Sequence, residues 1–291
     1  MSRGSLCISI DVELAWGIWD KPSAAYHARC ARHEAAIVRG LVALFDQHAV
    51  SATWAFVGRL LELDDAVAST TAHGARIWYA PELVEIVRAA RTPQDIGSHS
   101  YAHVYFAATS REAARADLAA ARRVHDRHGL PFASFVFPRN QVAHLDLLRE
   151  AGVKVFRSVD RGWHSAVRDR LGGGIGRAAN LADKLLPIPP AAVHAIDHGG
   201  LVELPSSMLL MARNGLRRVV HPAAVVAKAK LGLAAARRSG GAFHLWFHPS
   251  NFYYEPERQL ATLGRILQIA AGMRDHGELE IRPMRSFAGA A

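Results

Sequence analysis

The chain has 291 residues, half of them hydrophobic and 21% charged, a composition that excludes an intrinsically disordered protein and supplies one large core, or two at most. Its formal net charge of +9 suits an acidic partner or an anionic surface, but no nucleic-acid-binding signature accompanies the charge.

Residues 6–13, LCISIDVE, read as a buried strand. A helix is predicted over 24–48, with Ile37, Leu41, Leu44 and Phe45 at helical spacing. SATWAFVG (51–58) is a second strand. A helix over 81–91 follows, with Pro81 near its first turn, where a missing N–H costs least. DIGSHS (95–100) is a short strand, and 110–129 a strong helix capped by Ser110 and stopped by Gly129. Further strands are predicted at 133–138, 153–158, 200–207 and 242–249, helices at 143–151 and 256–275, and a last strand or edge segment at 279–284. Cys7 falls in a strand and Cys30 in a helix, and both read as buried, inert thiols.

Strand–helix alternation predicts a parallel α/β protein. About seven strands in a single domain over 1–291, with no glycine-rich phosphate loop after the first, favour a barrel over an open doubly wound sheet. Two stretches interrupt the pattern. Residues 161–199, with GGGIG and PIPP, are predicted to form a long insertion or cap. Residues 211–240 are basic and apolar; they read as a surface helix with a solvated Lys/Arg face or, alternatively, as a membrane-surface helix on anionic lipid. The N-terminus carries no leader-length apolar stretch, and no apolar run of about 18 residues occurs, so the expectation is a cytoplasmic protein, at most peripheral at the inner membrane face.

The strand ends carry the polar residues. Asp11 and Glu13 end the first strand, His99 and His103 the third; Arg139, Asn140 and Gln141 follow the fourth, and His248 the last long one. In a parallel barrel these ends converge on one mouth. Two imidazoles in an HxxxH spacing plus one carboxylate form the protein half of a catalytic Zn²⁺-type site. The spacing alone is weak in a chain with 16 histidines; the acidic pair and the late histidine strengthen it. Either acid could be the ligand.

SIDVE, HSYAH, FVFPRNQ and LWFHP, in this order, resemble the motifs of the polysaccharide deacetylase (NodB-homology) family, carbohydrate esterase family 4. The likeness spans roughly residues 6–285. Two motifs depart from the family's usual form: the acids are separated as D-V-E, and the arginine of FPRNQ follows the proline. The resemblance implies a distorted (β/α)7 barrel and a divalent metal, Zn²⁺ first, with Co²⁺, Ni²⁺ or Fe²⁺ as alternatives. It implies Glu13, His99 and His103 as ligands, Asp11 as general base, Arg139 as the partner that orients Asp11, and His248 as the acid that protonates the leaving amine. Exchange of Asp11 and Glu13 stays open. Asn140, Gln141 and Trp163 are candidates for substrate contact, and Asp160 and Trp163 resemble a family position that orients the acid histidine.

The expected activity is removal of an N-acetyl group from an amino sugar in a polysaccharide, glycolipid or nucleotide-linked precursor. A phosphate- or lipid-linked substrate would suit the positive charge, with peripheral membrane contact through 211–240. The alternatives are an amidohydrolase acting on another linear or cyclic amide, and a non-catalytic carbohydrate-binding protein.

Overall fold

A computed structural model describes residues 3–62, 75–159 and 188–289. Asp160, Trp163 and most of the expected 161–199 insertion lie outside the described residues.

Nine residues of unbroken burial make β1 (Gly4–Val12), the central strand. Its alternate side chains divide the molecule. Leu6, Ile8, Ile10 and Val12 join the core under the helices, whereas Cys7 joins the barrel interior, and Ser9 and Asp11 share its side of the strand. Next come α1 (Ala24–His48), β2 (Thr53–Phe56), α2 (Glu82–Arg88), β3 (Asp95–Ser98), α3 (Arg111–Arg127), β4 (Ser134–Val136), α4 (Leu145–Glu150) and β5 (Val155–Ser158). After them stand β6 (Ile196–Asp197), β7 (Val202–Pro205), β8 (Met208–Leu209), α5 (Pro222–Ser239), β9 (Ala242–Phe247), α6 (Pro256–Asp275) and β10 (Leu279–Ile281).

Local chemistry sets the helix limits. Ser23 caps α1, accepting from the Tyr26 N–H, and a left-handed Ala49 ends it. Ser110 accepts from Ala113 N–H at the start of α3, and Gly129 (φ +62°) turns the chain away after it. The predicted helix over 24–48 matches α1, and that over 256–275 matches α6.

The parallel strands run in the order β5-β4-β3-β2-β1-β9, and the sheet curls into a distorted (β/α) barrel. One bent segment, 202–209, joins its ends. Its first half, β7, pairs with β5, and its second half, β8, pairs with β9. Pro205 marks the bend, and Ser206 and Ser207 bond to the backbone of Ser158 and His244 on either side. Beyond the ring, β10 extends one end of β1, and β6 runs antiparallel to β7. The result is a single α/β domain with every strand of the ring parallel, so their C-terminal ends share one mouth.

The basic stretch 211–240 holds α5, which buries Ala229, Leu233 and Ala236 against the core and exposes Lys230, Arg237 and Arg238. The helix thus packs its apolar side on the core and turns a Lys/Arg face outward, as both readings require. Among the described residues, no helix is long and apolar enough to cross a membrane. Both cysteines are buried and free, and burial pushes Cys30 up to about 12 and Cys7 further still, which leaves both thiols unreactive.

Candidate metal and acid–base site

Asp11 closes β1 on its interior side, and Glu13 follows at the start of the 3-10 turn Leu14–Ile18. Gly17 in that turn makes room for Glu13: a Cβ there would stand 2.1 Å from Glu13 Oε1. His99 leaves β3, and His103 lies one tight turn later. Ser100 and His103 both have left-handed backbones, at φ 69° and 55°. Two bonds hold that strain in place: the buried carboxylate of Asp117, on α3, accepts from Tyr101 N–H and Ala102 N–H, each at 2.9 Å. Ser100 Oγ accepts from Val104 N–H within the turn.

Glu13 Oε2 lies 3.0 Å from His103 Nε2 and 3.4 Å from His99 Nε2. The donor atoms of these three residues all fall within 4.8 Å of one another. His99 Nδ1 is 2.8 Å from the Val136 carbonyl oxygen, which can only accept, so the proton sits on Nδ1 and Nε2 offers a lone pair. That Nε2 is buried and has no hydrogen-bond partner among the described residues. An oriented imidazole with an orphaned lone pair, a second imidazole and a carboxylate on one point make a donor set that fits a divalent cation. Burial keeps His103 below its ordinary value, against the pull of Glu13, so it too favours the neutral form a metal ligand needs. Burial works against the charge on Glu13, but His248 and the contacts from His103 and His99 prevail and hold its carboxyl well below the usual range.

Asp11 has a different partner from the one the sequence suggested. Arg139 is bonded to the Gly17 carbonyl and Asp20, both at 3.1 Å, and does not reach Asp11. The guanidinium on Asp11 is Arg157, from β5, with Nη1–Oδ1 at 2.6 Å and Nη2–Oδ2 at 2.7 Å. The correction has a physical reason. Arg139 follows β4 on a left-handed loop that turns it to the rim, whereas Arg157 stands two residues after Val155 on the same inward face of a buried strand. Arg157 also donates to Ser9 Oγ and Asn140 Oδ1, each at 3.1 Å, and stacks over the Trp246 ring at 4.2 Å. Ser9 in turn lies 2.9 Å from Nε2 of the fully buried His244. Burial opposes the charge on Asp11, but Arg157, helped by His248 and His99, keeps its carboxyl ionised below the ordinary range.

His248, just after β9, completes the cluster. Its Nε2 lies 3.6 Å from Asp11 Oδ2 and 3.5 Å from Glu13 Oε1, and its Nδ1 is 3.4 Å from Asn251 Oδ1. Asp11, Glu13, His99, Asn140, Trp246 and His248 open on a cavity of about 520 Å³, with Arg139 and Arg217 toward the rim. Gln141 is not among its lining residues. The residues that the motifs missed are Arg157, Asp117, Ser9 and His244. Each was signalled by a polar residue inside an apolar run or stripe: Arg157 in VKVFRS, Asp117 on the apolar stripe Ala114–Leu118–Ala121, Ser9 in LCISID and His244 in AFHLWF.

No protein-family model matches the sequence, and a search of curated proteins finds no match. Solved structures do match. A protein from Mycobacterium smegmatis assigned as a polysaccharide deacetylase superposes with a TM-score of 0.70 at 18% identity, covering 99% of this chain and 90% of its own. A probable polysaccharide deacetylase from Pseudomonas aeruginosa gives a TM-score of 0.64 at 12% identity with the same coverage of both chains. An allantoinase gives 0.64 at 11% identity, again over 99% and 90%. At such identities the likeness is one of architecture. The chain has the fold of the polysaccharide deacetylases.

Proposed function

We propose that the protein is a metal-dependent hydrolase that removes an N-acetyl group from an amino sugar. The observation that carries this reading is the position of Glu13, between His99 and His103 on one side and His248 on the other, with Asp11 pinned beside it by Arg157.

In this reading Glu13, His99 and His103 hold a divalent cation, Zn²⁺ first. When bound, that cation supplies the Lewis acid that polarises an acyl carbonyl and brings the pKa of water toward neutrality. Asp11 is the general base; Arg157 fixes both of its oxygens and keeps it ionised to take the proton of an attacking water. His248, at the end of the adjacent strand β9, faces both carboxylates and hands a proton to the departing amine. Asn140, held by Arg157, orients that guanidinium and borders the substrate. The two acids therefore divide the work: the one bound by a guanidinium acts on protons, and the one set against imidazoles acts as ligand.

The test is acetate release from N-acetylated sugars by protein loaded with Zn²⁺ or Co²⁺. Activity should vanish on chelation, return on adding metal, and fall at least a thousandfold in His99→Ala with loss of bound metal. Activity that survives both treatments overturns the reading. The fold shared with an allantoinase makes hydrolysis of a small cyclic amide the second reading. Metal-dependent ring opening without acetate release would favour it. Failure to retain any ion after reconstitution would favour a binding protein instead.

A further inference from the structure

Among the described residues, four large apolar side chains are exposed: Trp19, Val159, Leu216 and Val219. All four follow the C-terminal ends of ring strands, on the mouth side of the barrel. Leu216 and Val219 are the extremes, at 79% and 66% exposure, on the five-residue 3-10 turn Gly215–Val219. Arg217 and Arg218 stand between them, and Arg217 reaches the rim of the catalytic cavity. Trp19 follows Gly17 and Ile18, which line the same cavity from the other lip.

The turn is built, not loose. Arg213 is buried, and its guanidinium donates to the carbonyls of Val220 at 2.5 Å and Arg218 at 3.0 Å and to Glu255 at 3.0 Å. Three anchors from one side chain hold the backbone so that the apolar side chains of Leu216 and Val219 face water. A protein that spends a buried arginine on presenting two aliphatic side chains to solvent presents them to something. The charge decides what. Arg217 has no ion-pair partner among the described residues, and the chain as a whole carries +9, which repels a second copy and attracts an anionic surface. Aliphatic residues interleaved with arginines on one short turn match the acyl–headgroup boundary of a bilayer. Interface cores between proteins, by contrast, are depleted of charge.

We infer that the mouth of the barrel docks on anionic lipid, with Leu216 and Val219 entering the acyl boundary, Trp19 at headgroup level on the opposite lip, and Arg217 and Arg218 on the phosphates. The catalytic cavity then opens toward the bilayer. This placement stands apart from the reaction proposed above, since docking needs neither metal nor substrate.

The experiment is sedimentation of the full chain with vesicles of phosphatidylcholine alone or mixed one to one with phosphatidylglycerol. Wild-type protein should bind the mixed vesicles and not the neutral ones, and brominated acyl chains should quench its tryptophan fluorescence. Leu216→Ser/Val219→Ser, both at exposed positions and checked for native circular dichroism, should bind at least tenfold more weakly. Binding that is equal in the double variant, or absent from anionic vesicles at low salt, overturns the inference. So does a concentration-dependent dimer that the double variant dissolves, because the turn would then be an interface between copies.

Discussion

Arg157 lies in the barrel interior, where an unpaired guanidinium would be among the most costly groups to bury. It is stabilised there by four hydrogen bonds to Asp11, Ser9 and Asn140 and by the Trp246 ring. A lysine keeps the charge but not the fork. Arg157→Lys should therefore still fold and still bind metal, while kcat falls about ten- to a hundredfold. Steady-state kinetics with metal content measured on the same sample checks this, and unchanged turnover would remove Arg157 from the machinery. The residue was legible in principle. A charge at an inward register of an apolar strand needs a buried counterion, and Asp11 ends another strand, β1, that faces the same interior. The proline-adjacent motif instead drew attention to Arg139, because sequence proximity to a family pattern says nothing of which way a left-handed loop aims a side chain.

The elements that carry the site were more legible than the connections between them. Periodicity marked α1 and α6 residue for residue, and hydrophobic runs marked every strand of the ring except β8. That strand is two residues long and is defined by its neighbour β9, not by any run of its own. The turn after β1 is an element whose role only geometry reveals. Its Gly17 has no side chain because the Glu13 carboxylate occupies that space. Since the clashing atoms are the far end of a flexible side chain, Gly17→Ala should cost the fold little, shifting the melting temperature by only a few degrees. It should weaken metal binding tenfold or more by pushing Glu13 off His99 and His103. Calorimetric metal titration beside thermal melts distinguishes this outcome from a purely structural role, in which stability falls and affinity does not. The turn 99–103 shows the same division. HxxxH gave the two imidazoles, but its strained backbone depends on Asp117, 14 positions beyond His103 on another element, a dependence no local motif contains.

At the level of the whole molecule, buried titratable groups set a stability optimum. Burial lowers His244 to about 3 and His125 to about 4, so the unfolded chain binds two protons that the folded one refuses as pH falls below 6.5. Burial raises Glu34 to about 7, against the hydrogen bond from Tyr253, so above 4.5 the folded chain holds a proton that the unfolded one has lost. Between 4.5 and 6.5 two groups favour higher pH and one opposes them. These three groups thus make stability fall by roughly 1.4 kcal/mol per unit on acidification through that range, and fall again as pH rises from 6.5 to 7. Chemical unfolding across pH 4.5–8 should show a maximum near 6.5, and a curve that rises toward acid would contradict the burial of the two histidines. The ring itself rests on the segment 202–209, shared between β5 and β9. Arg157 comes from the first of these strands and His248 follows the second, so the segment between the two strands sets the span between these side chains. A ligand that prised β8 from β9 would alter that span without entering the mouth. The arrangement of the cluster is therefore as open to a ligand at that seam as to one in the cavity itself.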